Sequence, residues 1–298
     1  MLKNVTEKGN AKINLHLDID GLMEDGYHSV RTVMQTVSLY DEITISDIET
    51  TEGEPCFFLS CNVDGVPCDE RNLAVKAALL FCERAGVSLR AKIHIQKNIP
   101  MTAGMAGGSA DGAATLRALN KATGKLLDVE ELCALGSALG ADVPFCIVGG
   151  TLYADGKGDV LRDFPKMPDC VIVAACEGEG VSTPWAYRLM DETYGNFEAG
   201  RYAPRDTEEL KTALISGDIR EVSKNIYNIF EEPVLSRRPV AAEVKKIMLD
   251  GGALSAMMSG SGPSVFGIFE CDKCAACAVA ALAEKGYRGY ICHPCGIE

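Results

Sequence analysis

No apolar run in the 298 residues approaches the roughly 20 that a helix needs to cross a bilayer. The opening stretch, MLKNVTEKGNAKINL, lacks the apolar core and small-residue cleavage pattern of a secretory signal. Basic charge is scarce: 29 Lys and Arg stand against 42 Asp and Glu, for a formal net charge of −13. Most of the surface should therefore repel nucleic acid and anionic membrane, and any bound phosphate requires a local site. Internal repeats, low-complexity tracts and heptad seams are missing too. Cysteine, by contrast, is plentiful. The 13 residues are odd in number and scattered from Cys56 to Cys295, which points to reduced thiols in a cytoplasmic protein rather than a disulfide framework. Cys271, Cys274 and Cys277, with Cys292, His293 and Cys295 downstream, could ligate iron–sulfur or zinc. However, CDKCAACAVAALAEKG also reads as a helix whose cysteines are small buried hydrophobes, and this is the expectation: no metal cluster.

The chain is long enough for one large or two medium domains, and prolines near Phe164–Pro168 suggest a boundary, giving 1–165 and 166–298. Ala11 to Ile19 alternates strictly, with Lys12, Asn14, His16 and Asp18 on one face of a strand. That face either meets water or carries function. Two β-rich runs follow, VRTVMQTVSL and EITISDI, separated by Asp41 and Glu42. After a strand at CFFLSC comes a helix from about Asn72 to Ala85, then AKIHIQK as a strand. It leads into PMTAGMAGGSADGAAT, residues 100 to 115. With few side chains, that backbone can approach a ligand closely. A helix starting near Ser109 would present its free N–H groups and positive dipole end to the same loop, an anion-binding arrangement.

A helix at Val129–Leu139 follows, then the turn GADVP carrying Asp142, where Pro144 argues against a continuing helix before FCIV, and a hairpin over 149–162. The second half reads as strand CVIVAAC, helices near 185–192, 207–216, 218–230 and 239–250, and a closing β-β-α-β unit. The glycine loop is not a Walker A motif, since Ser109 rather than lysine follows Gly108; nor is it a dinucleotide fingerprint, having no compact βαβ unit with a ribose-binding acid. A second turn of like composition, MSGSGPS at 258–264, strengthens the case for anion binding.

Three blocks, AKINLHL, PMTAGMAGGSADGAAT and SGSGPSVFGIF, resemble the three motifs of the GHMP small-molecule kinase superfamily. DGYH at 25–28, GADVPF at 140–145 and GVST at 180–183 resemble its branch that phosphorylates a cytidine diphosphate polyol in non-mevalonate isoprenoid biosynthesis. The resemblance implies an α+β, two-layer α/β kinase. Its N-terminal domain would be ribosomal-protein-S5-like and hold ATP; its C-terminal domain would be ferredoxin-like and lie on the substrate side, as a monomer or homodimer. It implies ATP and Mg²⁺, with Asp142 taking the acceptor hydroxyl's proton and Lys12 beside it. Asn72 and Lys97 would lie near the nucleoside. Pro100, Met101, Thr102, Ala103, Gly104, Met105, Ala106, Gly107, Gly108, Ser109 and Ala110 would wrap the phosphates, with Ser109 approaching phosphate or Mg²⁺. Tyr27 and His28 would stack on and hydrogen-bond a cytosine ring, Asn14 would meet the polyol, and Thr183, Gly260 and Ser261 would border it.

GMAGGSA departs from more glycine-rich loops, so Met105 must point away from the ligand, and Asp111 is expected to face solvent. A homoserine- or mevalonate-type kinase has no use for DGYH, and a non-catalytic binding protein needs neither Lys12 nor Asp142.

Overall fold

The computed structural model describes residues 2–101, 104–195, 197 and 202–297. Two long strands, β1 (Val5–Leu22) and β2 (His28–Thr50), pair antiparallel from Val5 opposite Ile45 to Leu22 opposite His28. The two runs expected at 29–48 are one strand. Asp41 and Glu42, read as punctuation, pair across from Gly9 and Lys8. A continuous partner ladder outweighs two locally β-averse residues.

β2 takes different neighbours along its length. Glu42–Thr50 pairs with β4 (Leu89–Gln96) and Thr32–Gln35 with β5 (Thr151–Asp155). β3 (Cys56–Cys61) extends the sheet beyond β4, and β6 (Val160–Asp163) beyond β5. The apolar set of β1, Ala11, Ile13 and Leu15, is fully buried in a core shared with α1 (Leu73–Ala85), α2 (Gly107–Ala122), α3 (Val129–Leu139) and α4 (Val143–Val148). α1 begins and ends as its sequence dictates: the Asn72 side chain accepts from Ala74 N, and Gly86 closes the helix in the left-handed conformation. α4 corrects an expectation. Pro144 opens a helix here, because a proline in the first turn has no intrahelical N–H to lose.

The second layer is an antiparallel sheet in the order β11 (Gly289–Cys292), β7 (Val171–Ala175), β10 (Val265–Phe269), β9 (Ser255–Met258). α9 (Pro239–Asp250) and α10 (Asp272–Glu284) cover one face, with Val244, Met248 and Leu282 packed on Val173 and Phe269. Between β7 and α9 run α5 (Thr183–Tyr194), α6 (Glu208–Ser216), α7 (Ile219–Lys224), the two-residue β8 (Tyr227–Asn228) and α8 (Glu231–Leu235). The single helix expected over 218–230 is thus divided. β8 pairs parallel with β1 at His16 and Leu17, and Asn228 donates to Met258 O and Gly260 O while accepting from Phe230 N. Tertiary hydrogen bonds take residues that local helix propensity would keep.

Segments of the second half therefore complete the first sheet. The tail does so as well: Pro294 bridges Val37, Gly296 bridges Gly149, and Cys295 N donates to Thr36 O. The polar face of β1 is consequently buried, with Lys12, Asn14, His16 and Asp18 all at most 4% exposed. Asp18 accepts from Tyr202 OH at 2.6 Å, Arg205 N at 2.8 Å and Ile19 N at 2.8 Å. Burial, then the charges of Arg31 and Arg205, push His16 down to about 4. The cysteines of α10 correct another expectation: Cys271 and Cys277 are exposed and Cys274 is half-buried.

Candidate active site

Lys12 and Asn14, two residues apart on β1, project from the same face of the strand into a cavity of about 1330 Å³ lined by both halves of the chain. The Lys12 ammonium donates to Asn14 Oδ1 at 2.8 Å and stands 3.8 Å from Asp142 Oδ1. Asp142 occupies the turn between α3 and α4, its side chain 39% exposed against 5% for Lys12. A partly open carboxylate beside a buried ammonium remains available to a ligand.

Asn14 is less free than expected. Its Oδ1 accepts from Lys12 and from Gly260 N at 2.9 Å, and its Nδ2 donates to Thr32 Oγ1 at 2.9 Å. It therefore ties Lys12 to the second glycine turn. That turn and the first pack back to back. Gly104 adopts φ +70°, and a Cβ there would lie 2.4 Å from Ser259 O; Gly260, at φ +59°, would bring one to 3.0 Å from Gly104 O. Only glycine allows this approach. Ser259 Oγ also donates to Gly104 O. Thr183 Oγ1 and Ser261 Oγ stand 3.4 Å apart at the rim.

α2 starts at Gly107, two residues before the expected Ser109, after Ala106 in a left-handed conformation. Pro100, Met101, Gly104, Ala106 and Gly107–Ser109 line the cavity. Met105 and Ala110 do not: both are buried in the core, and Met105 contributes only its carbonyl, which accepts from Lys12 N. Thr102 and Ala103 lie outside the described residues. The start of a 16-residue helix thus presents free N–H groups to the cavity.

Asn72 also lines the cavity, but its amide is engaged as the α1 cap and in donation to Pro67 O. Lys97 lines it as part of a buried triad. Its ammonium donates to Asp41 and, at 2.8 Å, to Asp111 Oδ2. Asp111, expected in solvent, is 3% exposed and faces inward, with Oδ1 lacking a partner among the described residues. Burial, with Asp41 nearby, raises Asp111 despite its bond to Lys97. Lys97 is raised as well, the two carboxylates outweighing its own burial. One ammonium between two carboxylates stays charged without fully neutralising both.

Tyr27 and His28 line another part of the cavity. Tyr27 is 62% exposed, with Lys157 Nζ 4.0 Å from its ring centroid. His28 is held firmly: Nε2 is 2.7 Å from Asp191 Oδ1 on α5, and its ring packs against Tyr187 and edge-on to Phe197. The sequence reading missed Asp191 and Tyr187, although their spacing of four on a helix places them on one face. It also missed Asp41, whose partners are remote in sequence. Among the described residues, no group of three or more His, Cys, Asp or Glu could hold a metal ion alone. The cavity instead offers the Ser109 hydroxyl and the Asp142 carboxylate as separate oxygen donors.

A helix start facing a cavity, a lysine–carboxylate pair and two interlocked glycine turns, on two packed α+β layers, are the features of a GHMP kinase. Residues 72–150 match the model for the GHMP kinases N terminal domain and residues 210–288 the GHMP kinases C terminal model. The chain is 44% identical over 262 residues, 88% of this chain and 87% of the relative, to 4-diphosphocytidyl-2-C-methyl-D-erythritol kinase of Caldicellulosiruptor saccharolyticus. It is 39% identical to the enzyme of that name from Clostridium kluyveri, over 88% of this chain and 90% of the relative. A crystal structure of 4-(cytidine 5'-diphospho)-2C-methyl-D-erythritol kinase superposes with a TM-score of 0.80 at 31% identity, covering 98% of this chain and all of that one. This chain belongs to the 4-diphosphocytidyl-2-C-methyl-D-erythritol kinase family of ATP-dependent phosphotransferases. No described helix is long and apolar enough to cross a membrane.

Proposed function

We propose that the chain transfers the γ-phosphoryl group of ATP to the 2-hydroxyl of 4-diphosphocytidyl-2-C-methyl-D-erythritol, in the cytoplasm. Residues 1–165 supply the ATP side, and residues 166–298 close the substrate side. The observation that carries this reading is the Lys12–Asp142 pair, 3.8 Å apart, in the same cavity as the glycine loop and the Tyr27–His28 turn.

The acceptor is an alcohol, a weak nucleophile, so a carboxylate placed to take its proton assists attack on phosphorus. Asp142 has that role, while Lys12, 3.8 Å away, stabilises charge on the phosphoryl group in flight. Phosphoryl transfer depends mostly on positioning and charge. The N–H groups at the start of α2 therefore hold phosphate oxygens while Asn72 and Lys97 flank the nucleoside. Mg²⁺, carried in on the ATP phosphates with the Ser109 hydroxyl beside it, would supply positive charge to the transferring phosphoryl group. Tyr27 stacks on the cytosine, His28 hydrogen-bonds it, and Asn14, Thr183, Gly260 and Ser261 border the polyol.

The test is ATP consumption by purified protein with 4-diphosphocytidyl-methylerythritol, homoserine and mevalonate offered separately. Turnover of the first alone is expected; turnover of either other compound without it would overturn the assignment.

A further inference from the structure

At the far end of β10 from the glycine turn, α10 opens on Cys-Asp-Lys-Cys. Cys271 is the N-cap residue, with extended backbone at φ −152° and ψ 155°, and Cys274 is the third residue of the helix. The two sulfurs stand 3.3 Å apart. Cys271 is exposed and Cys274 half-buried. A disulfide has S–S near 2.05 Å, so closing the bond moves the sulfurs by about 1 Å, within reach of side-chain rotation.

We propose that Cys271 and Cys274 form a reversible dithiol–disulfide site that exchanges with low-molecular-weight disulfides. The environments of the two thiols differ in the sense such exchange requires. The backbone N–H and the thiol of Cys274 hold the Cys271 thiol below its ordinary value, with the Lys273 N–H adding to this against the charge of Asp272. Cys274 is raised, chiefly by its bond to Cys271 and by that neighbour's charge. Cys271 is thus the attacking thiolate and Cys274 the resolving thiol.

In the first step Cys271 Sγ attacks one sulfur of R–S–S–R, forming a mixed disulfide and releasing RS⁻, which takes up the proton that Cys271 lost. Cys274 then loses its proton and attacks Cys271 Sγ, expelling the second RS⁻, which is protonated in turn. Two protein thiols are oxidised as one external disulfide is reduced to two thiols; a small dithiol reverses both steps. This site is remote from the cavity and does not rest on the kinase reading.

The test uses the whole protein in glutathione buffers of graded disulfide-to-thiol ratio, quenched by alkylation and mapped by mass spectrometry. A bond between Cys271 and Cys274, reversed by dithiothreitol, is expected. So is alkylation of Cys271 at neutral pH at least tenfold faster than that of the exposed Cys56 and Cys68. Cys274→Ser should stop at a glutathione adduct on Cys271, and Cys271→Ser should form no bond at this site. Adducts spread over Cys56, Cys68 and Cys277 with no Cys271–Cys274 bond, or equal alkylation rates at Cys271, Cys56 and Cys68, would overturn the proposal.

Discussion

Asp142 and Asp191 are both carboxylates near the cavity, but their neighbours give them different work. Asp142 faces the buried Lys12 ammonium and stays open to a ligand. Asp142→Asn should therefore lower kcat by about 10² to 10⁴ while ATP still binds; single-turnover kinetics with calorimetric ATP titration would check it, and near-normal turnover would remove Asp142 as the base. Asp191 instead grips His28. In a neutral ring this carboxylate keeps the proton on Nε2 and leaves Nδ1 to accept. Asp191→Ala should raise KM for the cytidine-bearing acceptor by roughly tenfold, about 1.4 kcal/mol, with KM for ATP unchanged. Equal changes in both constants would instead mean a general loss of structure. At this scale the sequence motifs led to the residues that the fold brings together, Lys12 and Asp142, 3.8 Å apart in one cavity. Asp111 was misread because a place in a helix's first turn does not say which side it faces. The partners that bury it, Lys97 and Asp41, lie 14 and 70 positions away and meet it only in the fold.

The interlocked glycine turns and the buried face of β1 are properties of elements rather than of single residues. Gly104→Ala places a side chain at φ +70° against Ser259 O, and should cost about 3 kcal/mol or more. A thermal melt should drop by several degrees, and an unchanged melt would show that the two turns separate freely. The face of β1 gives a pH dependence. His16 is held down to about 4, whereas an unfolded chain protonates it near 6.5. The folded state thus keeps its full advantage above about 6.5 and loses it as pH falls toward 4, by on the order of 3 kcal/mol. The difference in denaturant midpoint between wild type and His16→Asn should narrow over that window. Most helices and strands were readable from period and bounding residues, as in the helix from about Asn72 to Ala85. Two of the failures share one physical cause. β2 was divided at Asp41, and β8 was absorbed into a helix, because each is fixed by its partner strand, β1, rather than by its own composition.

Across the whole molecule, residues 227–228 and 294–296 return from the second half to complete the first sheet. The apolar clusters also mix the halves, with Leu17 and Ile19 of β1 packed on Phe230 and Met258. Calorimetry should therefore show one unfolding transition with agreement between calorimetric and van't Hoff enthalpies. Two resolved transitions would mean that the halves hold together independently. Removing residues 293–298 should lower the melting temperature, because Val37 and Gly149 lose their backbone partners.

The returning tail also sets an order in time. Pro294 must find Val37 across most of the described chain, whereas β1 and β2 meet across a single turn. Contacts of long sequence separation carry a larger loop-closure cost and form later than local ones. In refolding, the β1–β2 pairing should thus precede the closing of this edge of the sheet, which makes the tail a latch set after the hairpin it secures.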